Sequence, residues 1–222
     1  MRAFLVQQRI HFLLLLLMGL WLLGYSAWSQ WVTAIPLDEA ISLAPKGAVT
    51  KDIRIVIPEN YGLNLVFERA GVPFEKLSAL LGDSKYKDGE PVPSGIRVPI
   101  RWSLRNLKGE VVASGEIESF GAISWSAAEI GRRVGYIKVE PGNYVFSAEI
   151  LRDVPEFTGI KTRIAMQTDS KSSTTWHLGA VWWGAMLTIL VVWPAMFIVG
   201  VQLLWRGVLT YRLQRRLRNT NP

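Results

Sequence analysis

The sequence contains no cysteine, and only two of its 222 residues are histidine. Without thiols the chain has no disulfide framework, no cysteine-ligated zinc or iron–sulfur site and no thiol nucleophile. His11 and His177 lie far apart, each beside an apolar run, so neither a Ser-His-Asp triad nor a pair of imidazole metal ligands is predicted. We therefore expect no catalytic residue, no metal site and no cofactor-binding residue.

Acidic residues are missing from both ends of the chain, since every Asp and Glu lies between Asp38 and Asp169. Residues 31–175 contain 18 basic and 18 acidic side chains, so the net charge of +7 comes entirely from the ends. A nucleic-acid-binding domain would concentrate positive charge on its folded body. The distribution instead indicates that both ends face the cytoplasm, where Lys and Arg beside membrane spans remain. We expect no nucleic-acid partner.

The first apolar run is rich in leucine and carries no charge. We expect a transmembrane helix over residues 12–30, after a cytosolic N-terminus of residues 1–11, because about 20 residues cross the hydrocarbon core of a bilayer. A cleaved signal peptide is the alternative. Two arginines precede the run, and Ala27 and Ser29 form an acceptable cleavage site.

The second apolar run predicts a transmembrane helix over residues 176–205. Pro194 lies in its middle and should bend it, because proline removes one backbone hydrogen bond. Ala180 and Gly184 form a pair of small residues four apart, which predicts a helix–helix contact. The basic tail of residues 206–222 follows, and we expect it on the anionic inner leaflet.

The predicted topology has two spans in a bacterial inner membrane, with both termini in the cytosol. Residues 31–175 then form a domain in the periplasm, an oxidising compartment in which a chain without cysteine loses nothing.

Apolar and polar residues alternate between the two spans, which is typical of strands with one buried face. The longest alternation runs from Ile96 to Leu104 and includes Pro99, so this strand should be at a sheet edge or bulged. Other strands are expected near residues 53–57, 63–67, 110–117, 135–139, 144–151 and 158–167.

Two short helices are expected, at Pro73–Leu81 and at Ser126–Arg133. The segment Glu140–Tyr144 predicts a tight turn in which the Tyr144 phenol bonds to a neighbouring backbone group. Seven or so strands with turns between them predict a mainly β fold, an immunoglobulin-like β-sandwich with two short helices.

Five short segments resemble, in their order, a family of bacterial envelope domains of unknown function. They are Tyr61–Phe67, Leu81–Asp83, Tyr86–Gly89, Pro141–Tyr144 and Leu151–Glu156. The resemblance covers about residues 34–168 and includes no catalytic signature. Members are often lipoproteins, whereas this chain has two spans and no lipobox cysteine. Relatives occur near interbacterial toxin genes and are suspected immunity proteins, so the resemblance implies that role.

The sequence matches the motifs of known enzymes only in part. Ser84–Lys87 matches the S-x-x-K pattern of penicillin-recognising enzymes, but the S-D-N and K-T-G partner motifs and the larger fold are missing. Glu116 and Glu118 share one strand face, yet the sequence indicates no apolar pocket that would raise the pKa of either acid. We therefore predict that the protein is not an enzyme.

Two groups of residues are candidates for binding a partner. Arg97, Arg101 and Arg105 share one face of the long strand, where they either protect a sheet edge or meet an acidic partner. The second group combines an aromatic ring with charges, a composition common at contact surfaces, and consists of Lys85, Tyr86, Lys87 and Asp88.

The function predicted first is an inner-membrane immunity protein that binds and neutralises a cognate toxin, an effector of type VI secretion. A non-catalytic scaffold or accessory subunit of an envelope complex is the alternative, and an enzyme acting on lipid or peptidoglycan ranks third. The predicted partners are the toxin protein and the lipid bilayer, and a homo-oligomer remains open.

Overall fold

The computed structural model describes residues 8–83, 85–87, 90–92, 94–168 and 175–220. The chain divides into two compact units. One consists of Met1–Val32 and Trp176–Pro222, and the other is the β domain, Thr33–Thr175.

The elements are named in chain order. They are α1 (Arg9–Val32), β1 (Leu37–Ala40), β2 (Ala48–Ile55), β3 (Glu59–Glu68), α2 (Phe74–Leu81), β4 (Lys85–Lys87), β5 (Glu90–Val92), β6 (Val98–Asn106), β7 (Val111–Ser119), β8 (Ala122–Trp125), β9 (Glu129–Val139), β10 (Gly142–Ile150), a 3₁₀ turn (Pro155–Phe157), β11 (Thr162–Thr168), α3 (Trp176–Leu187), a π-helical segment (Thr188–Val192) and α4 (Trp193–Thr220).

The terminal unit contains two helices that are long and apolar enough to cross a membrane, α1 and the continuous helical stretch Trp176–Arg212. The second stretch is interrupted where the sequence predicts a bend. The π-helical segment ends two residues before Pro194, the second residue of α4. A proline ring clashes with the carbonyl four residues earlier in a regular α-helix, and a wider π turn relieves that clash.

The β domain is mainly β, with two antiparallel sheets in a β-sandwich-like fold. One sheet has the strand order β1-β11-β3-β9-β8, and the other has the order β2-β10-β6-β7. A separate hairpin pairs β4 with β5. The core holds the inward side chains of β3, β6 and β10, of which Leu65, Ile100 and Phe146 are fully buried. Their alternation with polar residues is the pattern that the sequence shows.

Helix α2 confirms the first predicted helix. Pro73 occupies its N-cap, and Gly82 follows its last residue with φ of 71°, a left-handed conformation that favours glycine.

The helix predicted over Ser126–Arg133 is wrong, because strand β9 begins at Glu129. The Ser126 hydroxyl accepts the backbone N–H of Glu129 at 3.0 Å, as an N-cap would. It closes a turn instead, and the residues that follow pair along β3. The capping signal involves only neighbouring residues, whereas the pairing with β3 that overrides it joins strands distant in sequence.

The edge or bulge predicted at Pro99 is also wrong, because β6 lies between β10 and β7, and the irregularity in its pairing with β7 falls at Leu104 and Arg105 instead. The Pro99 carbonyl accepts the N–H of Leu151 at 3.0 Å, so its nitrogen faces the same side, where β10 has already ended. Proline is tolerated there because the missing donor falls outside the ladder. The turn predicted at Glu140–Tyr144 is confirmed, since the Tyr144 hydroxyl donates to the Glu140 carbonyl at 2.9 Å.

Candidate partner-binding surface

The outer face of the four-stranded sheet carries the arginine row singled out in the sequence. Along β6 the side chains of Ile100 and Leu104 are fully buried. Arg101, between them, and Arg105, which follows Leu104, therefore point to solvent, and Arg97, one residue before the strand, is also exposed. The row thus forms one continuous surface of the β domain.

Two of these arginines bind glutamates on neighbouring strands. Arg101 donates from Nε to Glu116 Oε2 at 2.8 Å and from Nη1 to Glu149 Oε1 at 2.7 Å. Both glutamates stand directly opposite Arg101, one on β7 and one on β10. Arg97 Nη1 donates to Glu118 Oε2 at 2.8 Å. These carboxylates were not predicted as binding residues, because their pairing depends on strand register.

The pairing favours the charged form of both groups. The hydrogen bond from Arg97 lowers the pKa of Glu118 below its ordinary value. The hydrogen bond to Glu116 raises the pKa of Arg101 above its ordinary value. Arg105 instead donates to the carbonyl of Gly109 at 3.0 Å. A partner approaching this face therefore meets alternating charges rather than the bare positive row that the sequence suggests.

A row of hydroxyl groups crosses the same face beside the charges. Thr50, Ser147, Ser103 and Ser114 stand opposite one another on the four successive strands. The Thr50 and Ser147 hydroxyls are 3.2 Å apart. Because these side chains are shorter than their charged neighbours, they form the floor of an open depression of about 550 Å³, with Arg101 among the residues that line it.

The second predicted group is placed in part. Lys85, Tyr86 and Lys87 form strand β4, which pairs with β5. Asp88 lies outside the described residues. The partner-binding role of this group stays a prediction.

A third charged cluster lies on the outer face of the five-stranded sheet and was missed from the sequence. The Arg163 guanidinium binds the carboxylates of Asp38 and Glu129, and its Nε lies 3.9 Å from Glu68 Oε1. These residues come from β11, β1, β9 and β3, so no sequence spacing connects them.

The helices of the terminal unit make polar contacts with one another. Trp21 Nε1 donates to Thr188 Oγ1 at 3.0 Å, and the Tyr25 hydroxyl donates to the Val181 carbonyl at 2.6 Å. A Cβ atom placed on Gly184 would overlap the Tyr25 ring, so α1 and α3 approach closely at this glycine. Ala180 lies one turn earlier on α3 and is half-buried.

Both histidines belong to the terminal unit. His177 stacks on Trp176 with ring centroids 4.2 Å apart, and His11 lies near the start of α1. Within the described ranges, no three His, Asp or Glu side chains are grouped as metal ligands would be.

Comparison with known families decides the identity of the β domain. Residues 35–168 match the family described as "Domain of unknown function (DUF5625)". The chain belongs to this family. The sequence resemblance to an uncharacterised family is thereby confirmed, over nearly the same residues.

Two solved structures are similar to this DUF5625 chain. A crystal structure of a protein from Sulfurospirillum deleyianum has 21% sequence identity and a TM-score of 0.51, and covers 60% of this chain and 97% of its own. At that identity the likeness shows the fold alone. The structure of infectious bursal disease virus Gt strain has 11% identity and a TM-score of 0.22, and covers 61% of this chain and 29% of its own. No curated protein matches the chain.

Proposed function

We propose that this DUF5625 protein is an inner-membrane immunity protein that binds and neutralises a toxin delivered by neighbouring bacteria through type VI secretion. In this proposal both termini lie in the cytosol, and the β domain, an immunoglobulin-like sandwich, lies in the periplasm. Neutralisation occurs at the periplasm or the inner membrane, by binding and without catalysis.

The observation that carries the proposal is the outer face of the four-stranded sheet. Its arginines and glutamates are held by cross-strand hydrogen bonds, so the charged pattern exists before any partner binds. Such preorganisation reduces the entropy lost on binding. Alternating charges also reject partners whose own pattern does not match, which is what an immunity protein specific for one toxin requires.

The two apolar helices support the place of action. A domain held at the membrane is confined to a thin layer, so its effective concentration there exceeds that of a free domain. A toxin that crosses or enters the inner membrane passes through that layer. The seven arginines near the chain ends, with no acidic residue beyond Asp169, support cytosolic termini.

The test is competition between sibling strains that deliver the toxin. A recipient without this gene should be killed, and the wild-type gene should restore survival. A recipient carrying Arg101→Gln should survive less well, and its purified protein should bind the toxin about tenfold more weakly, because Glu116 and Glu149 lose their partner.

Lys138→Gln is the matched control, because Lys138 is exposed on the outer face of the other sheet. It should protect as well as the wild type. Unchanged survival of the deletion strain would remove the proposal. Co-purification with one membrane complex in strains with and without the toxin would favour the scaffold function instead.

A further inference from the structure

Strand β7 lies at one edge of the four-stranded sheet. In the part of the chain that the structure describes, it pairs with β6 on one side and with no strand on the other. Nine residues span about 30 Å, so alternate residues present a long row of backbone N–H and C=O groups. The backbone of its last residue has a partner, since the Ser119 carbonyl accepts a hydrogen bond from Arg132 Nη1 at 3.2 Å. The open part is therefore residues 111–118.

Among the described residues, no strand covers the sandwich beside this edge. Ile117 stands opposite the fully buried Ile100 and so points toward the core side of the sheet, yet 41% of its surface is exposed. An inward apolar side chain reaches solvent when no further strand covers it, and one added strand would bury it.

The other edges of the two sheets are better protected than β7. Strand β2, at the opposite edge of the same sheet, carries three charged residues, and Lys51 reaches Glu39 at 2.7 Å. The outermost strands of the other sheet, β1 and β8, have four residues each. Short strands and edge lysines prevent further pairing. In β7 the inward positions are Ala113, Gly115 and Ile117, and no Lys, Arg, Asp or Pro occurs in the strand.

The two outward carboxylates of β7 determine which charges an added strand should carry. The Glu116 side chain remains 56% exposed although it binds Arg101. The Glu118 side chain remains 45% exposed although it binds Arg97 and lies 3.9 Å from Arg152, so both carboxylates still present surface to an added cation. A second copy of β7 would bring four carboxylates onto adjacent strands, which like-charge repulsion disfavours. An added strand with Lys or Arg at its outward positions is favoured for the same reason.

We propose that the free edge of β7 is a docking site at which a partner protein adds one antiparallel strand. The partner segment is extended, with Lys or Arg at outward positions beside Glu116 and Glu118, and with apolar residues at inward positions beside Ile117. Main-chain hydrogen bonds provide affinity in this mode of recognition, and alternate side chains provide specificity. The inference rests on the proposed function where the partner is the toxin, since it names how the toxin would dock.

The probe is a nine-residue peptide that alternates Lys and Val, added to the full-length protein in nanodiscs of phosphatidylcholine, a lipid without net charge. Amide hydrogen exchange should show at least tenfold slower exchange at alternate residues of β7, and unchanged exchange in β2. A peptide that alternates Glu and Val should bind at least tenfold more weakly, because it faces Glu116 and Glu118.

Ile117→Lys places an inward charge at the edge and should weaken binding of the Lys-Val peptide at least tenfold. Asp52→Lys, on the edge strand β2, is the matched control and should leave binding unchanged. Thermal unfolding shows whether each variant is folded. If Ile117→Lys does not fold, Ile117→Thr is used in its place. Protection confined to the hydroxyl-lined depression, protection nowhere, or a dimer with protected β7 in the absence of peptide would each overturn the inference.

Sibling competition separates this inference from the proposed function. If Ile117→Lys protects as well as the wild type while Arg101→Gln does not, the function stands and the β7 site falls. If the deletion strain survives unchanged, the immunity function falls, and hydrogen exchange with the peptide alone decides the β7 site.

Discussion

Arg132 places a guanidinium group in the core of the β domain. Its side chain is fully buried, and Nη1 donates to the carbonyls of Ile96 at 2.8 Å and Ser119 at 3.2 Å, while Nη2 donates to the carbonyl of Leu81. Burial lowers its pKa to about 10, so the group is still charged at neutral pH. It therefore ties the end of α2 to segments beside β6 and β7.

We predict that Arg132→Met lowers the free energy of unfolding by about 3 kcal/mol, because three buried carbonyls lose their donor and a buried acceptor left without a partner costs about 1–3 kcal/mol. Arg105→Met is the control, since Arg105 is exposed and should change stability little. The measurement is denaturant unfolding of the full-length protein in detergent, followed by near-ultraviolet circular dichroism. Equal midpoints for Arg132→Met and the wild type would contradict the prediction.

We predict that ionisation of the Tyr61 hydroxyl lowers the stability of the β domain in alkaline solution. Burial raises the pKa of its hydroxyl to about 12, and this hydroxyl donates to the Ile57 carbonyl at 3.1 Å. In the unfolded chain the pKa is about 10. The folded state binds the proton more tightly, so this stabilisation is complete below pH 10 and disappears as the pH rises through 12.

The variant Tyr61→Phe should therefore flatten the decline of stability between pH 10 and 12. At neutral pH it should cost about 1 kcal/mol, the worth of the lost hydrogen bond. Thermal unfolding measured at several pH values checks both effects. Parallel pH profiles for the variant and the wild type would show that Tyr61 does not cause the decline.

Strands were more predictable than helices in the β domain. The alternation along β6 identifies a strand, because one sheet face is buried and the other is wet. The alternation does not determine the position of the strand in its sheet, and Pro99 by itself predicts an edge or a bulge. At Ser126 a local capping signal predicted a helix, and pairing with β3 produced a strand instead. Local patterns identify a strand, whereas long-range pairing selects its neighbours.

The contact between α1 and α3 depends on one glycine. We predict that Gly184→Leu separates these helices, because a side chain there overlaps Tyr25, whereas Gly179→Leu, which meets nothing within 4 Å, does not. The chain has no cysteine, so Gln8→Cys with Arg206→Cys introduces two unique thiols at positions whose side chains lie 3.0 Å apart.

A bismaleimide should link these thiols efficiently in the parent and in Gly179→Leu, and several-fold more slowly in Gly184→Leu. Equal cross-linking of the two glycine variants would show that close approach at Gly184 does not hold the pair.

Along the sequence, a β domain with no net charge is flanked by two apolar helices, and the excess arginines lie at the two ends of the chain. Alkaline phosphatase, which is active only after export, tests the resulting topology. Fusion after Thr175 should give an active enzyme, and fusion after Pro222 an inactive one, because the proposed topology places the arginine-rich tail in the cytosol. Activity after Pro222 would contradict the two-span topology.

The sequence by itself determined the two apolar runs, the placement of charge and most strands of the β domain. Each of these depends on the order of neighbouring residues, so it is visible in the chain before it folds. Only the tertiary structure decided that Glu116 and Glu149 face Arg101, that Arg132 is buried and that β7 lies at an open edge. Those features depend on the register and order of strands distant in sequence, which the packing of the whole domain selects.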